Sequence, residues 1–309
     1  MSLLFVAPDR NLSEWKKHIH RIDPNIETDI WPAIKNKDRV QFAVCWNQPQ
    51  HLLDSFPNIK AVSSLGAGVD HLLSDDSLPE SIEIARIVSP SLIRQMKEYV
   101  LGAVINIQRN LPQYIRQSDQ GKWQIHRHEL SKNLRIGIMG LGAIGQPVAE
   151  QLVKTGFQVS GWARSSKELE DIECFAGPDK LSLFLSDINI LVCLLPLTDA
   201  TRDILDLKVF KELPSDAWII NAARGEHLVD EDLIYALDSN LLQGAWLDVF
   251  KEEPLPDKHA FWNRSNIIIT PHIASITQPA EAAEQIVENY KRALSGMDLR
   301  NAVDREKGY

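Results

Sequence analysis

Residues 135–145 read RIGIMGLGAIG, so Gly140, Gly142 and Gly145 stand in the order G-x-G-x-x-G, directly after an apolar run and directly before a helical pattern. In that context the spacing reads as a dinucleotide turn. The first glycine permits a tight turn, the second lets the backbone approach a pyrophosphate, and the third lets helix and strand pack closely. The phosphates then rest on a helix N-terminus, at Ala143 and Ile144, where free amides and the helix dipole favour anions. Pro147 falls in the first helical turn, where a missing N–H costs little. The next strand-like run, QVSGWA, ends in Ala163 and is followed by Arg164, Ser165, Ser166 and Lys167. An acidic residue at that strand end would accept hydrogen bonds from the ribose hydroxyls of NAD. Cations and hydroxyls in its place suit a 2′-phosphate, so the expected cofactor is NADPH, with NADH disfavoured.

Further along, chemically capable side chains stand at the ends of apolar runs: Arg224 after AWIINAA, Asp248 within and Glu253 after AWLDVF, and His272 after NIIIT. Ligands of open α/β sheets bind beyond the carboxyl ends of the strands, so these residues can converge on one crevice. Taken singly, each has a plainer reading. Arg224 could be a surface ion-pair partner, Glu253 a loop carboxylate before Pro254, and His272 a hydrogen-bonded histidine in a strand-end turn. His126, His128 and Glu129 lack further ligands at metal-site spacing and read as a solvated connection, so no metal site is expected. Cys193 falls in an apolar run and reads as packing.

The elements that must position these groups follow from the hydrophobic pattern. Over the first hundred residues, LLFVAP, ETDIW, QFAVCW, IKAVSSLG and IEIARIV alternate with helical patterns such as 13–22, which argues for a parallel sheet flanked by helices. A long helix is expected from Ser91 through Leu111, with Ser91 as its cap, linking two domains. From Leu134 a second series begins, with strands in LRIGIMG, QVSGWA, INILVCLLP, AWIINAA, GAWLDVF and NIIITPH and helices between them, as in a doubly wound sheet. A last helix is expected over 279–294.

The whole chain has 309 residues, and at roughly 150 residues per domain that suggests two domains. With 33 Lys and Arg against 42 Asp and Glu, the net charge of -9 disfavours nucleic acid and anionic membranes as partners. Three widely spaced cysteines, Cys45, Cys174 and Cys193, fit reduced thiols, and the short apolar start at Leu3–Ala7 fits a strand rather than a leader. A cytoplasmic protein is expected.

The ordered motifs SSLGAGVDHLL (63–73), RIGIMGLGAIG (135–145), CLLPLTDATRDIL (193–205), LPSDAWIINAARGEHLVDEDL (213–233), GAWLDVFKEEPLP (244–256) and ITPHIASIT (269–277) carry a further reading. Through them the chain resembles the D-isomer-specific 2-hydroxyacid dehydrogenase family, and within it the glyoxylate/hydroxypyruvate reductase A branch. The resemblance implies an α/β fold, a doubly wound parallel Rossmann domain plus a smaller flavodoxin-like substrate domain. It places the cofactor domain at 100–278 and the substrate domain at 1–99 and 279–309. It implies that Arg224, Glu253 and His272 are catalytic. Leu65, Gly66, Ala67 and Gly68 would offer backbone amides to a substrate carboxylate, and Trp46 would wall the pocket. Leu195, Pro196, Ala222 and Asp248 would join the cofactor contacts, Asp248 at the nicotinamide carboxamide. The implied reaction is NADPH-dependent reduction of small 2-oxo acids, glyoxylate to glycolate and hydroxypyruvate to D-glycerate, in a homodimer paired through the region of Trp123. Alternatives at this level are a dehydrogenase for bulkier 2-oxo acids, a phosphoglycerate dehydrogenase, or a dinucleotide-sensing binding protein.

Overall fold

Most strands of this chain are buried on both faces, and the five residues of the first, Ser2–Val6, have no exposed member, the mark of a parallel sheet covered by helices. The computed structural model describes all 309 residues and divides into two units, Met1–Leu92 with Ile276–Tyr309, and Ile93–Ser275. The expected domain limits at 99 and 278 fall a few residues later than these.

In the first unit, β1 (Ser2–Val6), β2 (Glu27–Ile30), β3 (Val40–Cys45), β4 (Ala61–Ser64) and β5 (Glu83–Ala85) form a parallel sheet in the order β2-β1-β3-β4-β5, the flavodoxin-like arrangement. Helix α1 (Ser13–Ile22) turns Trp15 and Ile19 toward Leu3 and Phe5. The short α2 (Asp70–Leu73) seats Leu72 on the other face, with Leu4, Val6, Leu53 and Phe56. The chain returns to this unit at its end, where Ala283, Ile286 and Tyr290 of the C-terminal helix, Pro279–Ser295, join the core around Phe5 and Phe42. The C-terminal segment thus packs with the first unit.

Helix α3 (Pro90–Gln108) begins in the first unit and continues in the second. It is shorter than expected. Asn110 takes a left-handed backbone, which breaks the helical run, and α4 (Leu111–Asp119) starts anew. The cap also differs: the Ser89 hydroxyl, not that of Ser91, accepts the Leu92 N–H at 3.3 Å. In the second unit follow β6 (Arg135–Met139), α5 (Gly145–Lys154), β7 (Gln158–Ala163), β8 (Ile172–Ala176), α6 (Leu181–Leu185), β9 (Ile190–Cys193), α7 (Leu207–Glu212), β10 (Trp218–Asn221), α8 (Asp230–Asp238), β11 (Gly244–Leu247) and β12 (Ile267–Ile269); the C-terminal helix above is α9. The seven parallel strands run β12-β11-β10-β9-β6-β7-β8. Strand order reverses between β6 and β9, the place where doubly wound sheets bind ligands. Strand β8 was not anticipated, because its charged, partly exposed residues hide the strand pattern.

Candidate active site

The turn after β6 and the end of β9 meet at this switch point. Gly140 has φ +102°, and a Cβ there would lie 2.8 Å from Leu194 O, so a side chain is excluded. A Cβ at Gly145 would lie 1.7 Å from Gly140 O. Between them Gly142 is exposed with open space around it. The amides of Ala143 and Ile144 donate to nothing in the protein, and α5 has no side-chain cap. Two glycines are therefore demanded by packing, and the third keeps space open before unpaired amides, a cradle that fits a pyrophosphate. Leu195 and Ala222 are buried and Pro196 half-buried at the ends of β9 and β10. At the end of β7, Ala163 is buried, Arg164 and Ser165 are exposed, and the Lys167 ammonium lies 3.5 Å from Gln146 Oε1 on the first turn of α5. The first carboxylate past the strand, Glu168, is exposed and lies beyond Lys167. The residues at hand fit a dinucleotide and, at this strand end, a phosphorylated ribose.

Three loops beyond β10, β11 and β12 carry the polar chemistry. Arg224 leaves β10 with an extended backbone, and its Nη1 donates to Ala223 O at 2.7 Å. Its own carbonyl is held by Asn221 Nδ2 at 2.8 Å and faces His227 Nδ1 at 3.2 Å, while His227 Nε2 faces Pro196 O at 3.3 Å. Gly225 then passes so close to the next loop that a Cβ would lie 1.9 Å from the Phe250 carbonyl carbon, which seats the arginine loop against the one carrying Glu253. Glu253 accepts the Phe250 N–H through Oε1 at 3.0 Å and lies 2.7 Å from His272 Nδ1 through Oε2. Burial raises the Glu253 carboxyl, but the His272 bond and charge, the Phe250 amide and nearby Arg224 outweigh it, leaving it below the usual range.

His272 has φ +52°, a costly backbone for a non-glycine residue that must be held by its surroundings. Asp248 does the holding. It is 0% exposed, and its carboxylate accepts from the Thr270 hydroxyl (2.6 Å), the Ile273 N–H (2.9 Å) and the Ala274 N–H (2.8 Å), while its carbonyl accepts the His272 N–H at 2.8 Å. Tyr99 extends the network, 2.6 Å from Thr270 Oγ1 and accepting from Trp246 Nε1 at 2.9 Å. Sequence reading missed Asn221, His227, Thr270 and Tyr99. Asn221 and Thr270 are polar residues closing apolar strands, and that was the available signal. Cys193 is buried and its thiol is pushed up to about 12 by burial, so it is inert at neutral pH.

In the first unit, described by itself, a turn follows β4. Leu65 is buried with its N–H on Cys45 O, and the Gly66 N–H is taken by Ser64 Oγ at 3.1 Å. Contrary to expectation, Leu65 and Gly66 have no amide to offer, because the chain's own acceptors use them. The amides of Ala67 and Gly68 carry no partner in the protein. Trp46 is fixed beside this turn, with the Arg10 guanidinium 4.4 Å above its ring and the His71 ring 5.1 Å away.

A doubly wound sheet with an open glycine turn at its switch point, and an imidazole held by a carboxylate at its strand ends, has the parts of a nicotinamide-dependent oxidoreductase. Residues 101–274, over half the chain, match the family described as D-isomer specific 2-hydroxyacid dehydrogenase, NAD binding domain, and the protein belongs to that family. It is an NAD(P)-dependent oxidoreductase. A curated relative, glyoxylate/hydroxypyruvate reductase A of Photorhabdus laumondii, is 36% identical over 314 residues, covering all of both chains. A D-isomer specific 2-hydroxyacid dehydrogenase from Xanthobacter autotrophicus, solved with NADPH and MES, superposes with a TM-score of 0.95 at 36% identity, covering 100% of this chain and 99% of its own. The NADPH-dependent glyoxylate/hydroxypyruvate reductase of Sinorhizobium meliloti, solved with NADP and sulfate, has a TM-score of 0.92 at 32% identity, with full coverage of both chains. No helix of this protein is long and apolar enough to cross a membrane.

Proposed function

We propose that the protein reduces small 2-oxo acids with NADPH, glyoxylate to glycolate and hydroxypyruvate to D-glycerate. The observation that carries this reading is the His272–Glu253 pair at 2.7 Å beside the Arg224 loop. With Nδ1 committed to Glu253, the imidazole has Nε2 left to deliver a proton to a carbonyl oxygen. Glu253 orients the ring. Arg224, a planar fork of donors, holds the substrate carboxylate and polarises the carbonyl. Within the first unit, the unpartnered amides of Ala67 and Gly68 would suit a carboxylate, and Trp46 stands beside that turn. The nicotinamide, when bound, supplies the hydride. Arg164, Ser165 and Lys167 at the end of β7 support the 2′-phosphate and hence NADPH. Contrary to the expectation from sequence, Asp248 is not assigned to the nicotinamide carboxamide, because it is 0% exposed and its carboxylate already takes three donors of the protein.

Exposed apolar side chains along 111–130, among them Ile115, Leu130 and Trp123 at 98% exposure, support a homodimer. Buried, unpaired Cys45 and Cys193 support a reducing, cytoplasmic setting. Steady-state oxidation of NADPH and NADH with glyoxylate, hydroxypyruvate, pyruvate and phenylpyruvate tests the activity. NADPH preference with the two small polar acids is expected; NADH preference, or faster phenylpyruvate turnover, overturns the corresponding assignment. His272→Gln is expected to lose most of kcat, and Arg224→Gln to lose both kcat and apparent substrate affinity.

A further inference from the structure

The loop after β3 and the turn after α2 bring together a group that the reaction does not use. His51 is exposed, with a left-handed backbone, φ +60°. Its Nδ1 lies 3.9 Å from Asp54 Oδ2 and its Nε2 lies 3.8 Å from Asp76 Oδ1, both too long for hydrogen bonds. Asp75 is 3% exposed. One of its oxygens accepts from the Ser77 N–H at 3.2 Å, the Ser77 hydroxyl and, at 3.4 Å, the His51 N–H. The other oxygen, Oδ2, is buried without any partner. Gln48, three residues before His51, also has a buried amide oxygen with no partner, while its Nε2 donates to His71 O. A buried carboxylate oxygen left without a donor or counter-charge costs free energy. Something that supplies positive charge would relieve it.

One donor atom each from His51, Asp75 and Asp76 lie within 4.8 Å of one another. Three points so spaced share a centre no more than about 2.8 Å from each, so side-chain rotations of less than about 1 Å bring them to the roughly 2.0–2.2 Å of zinc-type bonds. An imidazole nitrogen with carboxylate oxygens suits a borderline divalent ion, Zn²⁺ or Mn²⁺, rather than Ca²⁺. We propose that His51, Asp75 and Asp76 form a divalent-cation site that pins the loop carrying Trp46 to the turn following α2. Asp54 stands near enough to His51 to serve as a fourth ligand or to orient the imidazole. This site lies within the first unit and stands independently of the assigned substrate.

Isothermal titration of Zn²⁺ and of Mn²⁺ into the chelator-treated full chain tests it, against the double variant His51→Ala, Asp76→Asn. Both replaced residues are exposed, so the variant is expected to fold, which circular dichroism checks. The expected result is one equivalent of metal bound by the wild-type chain and lost, or weakened at least tenfold, in the variant. In the same samples the wild-type melting temperature rises with metal and that of the variant does not. No binding at millimolar metal, or binding of unchanged stoichiometry and affinity in the variant, overturns the proposal.

Discussion

His272 in one unit and His51 in the other both face carboxylates, yet their surroundings are built in opposite ways. His272 touches Glu253 at 2.7 Å, and the buried aspartate beneath it, Asp248, has three donors on its carboxylate. His51 stands 3.8 and 3.9 Å from its carboxylates, and the buried aspartate beside it, Asp75, has one oxygen bonded to nothing. The first cluster is closed by the protein's own hydrogen bonds, so its geometry is set before any substrate arrives, as the proposed role of His272 as proton donor would require. The second is left open, with charge of one sign predominating. A buried carboxylate thus reads as a support where its donors are complete and as a ligand site where they are not.

The largest effect that tests this contrast is expected at Asp248. Asp248→Ala leaves the Ile273 and Ala274 amides and the Thr270 hydroxyl without an acceptor and frees the strained His272 turn. A loss of about 3–5 kcal/mol in unfolding free energy is expected from urea titration, together with a fall in kcat of about a hundredfold. A variant that keeps wild-type stability and kcat would remove Asp248 as the support of His272. Asp75→Asn is the opposite case. In chelator-treated protein it removes a buried charge that has no counter-charge, so stability should change by no more than about 1 kcal/mol. A loss as large as that of Asp248→Ala would mean that Asp75 is as fully satisfied as Asp248, and the contrast would collapse.

The difference between the clusters also explains what could be read from sequence. The parallel strands were legible because their apolar runs are continuous and their turns carry glycines. Strand β8 was not, since only Ile172 among its residues is buried. Arg224, Glu253 and His272 were legible as reactive types just beyond apolar strands. The support given by Asp248 was hidden because its partners are mostly backbone amides some 25 residues on. The engagement of the Gly66 amide was hidden because its acceptor is a serine hydroxyl two residues back, a type that does not declare its partner. His51 and Asp75 lie 24 residues apart in two loops, a spacing that matches no metal motif, and only the fold brings them together.

The smallest expected effect concerns Glu253, whose side chain is 35% exposed and so is far less buried than either aspartate. Its carboxyl is held below the usual range in the folded protein, so folding favours the ionised form. The sign follows by linkage: the stabilisation is fully present above the unfolded value, about 4.3, and is lost as pH falls through the lower folded value. Glu253→Gln cannot ionise. The stability difference between wild type and this variant should therefore be constant from neutral pH to about 5 and shrink below about 4.3, by less than about 1 kcal/mol because solvent screens the pair. A difference that instead grows on acidification would mean that burial, not His272, dominates the Glu253 environment. The His272 cluster would then be less closed than its 2.7 Å contact indicates.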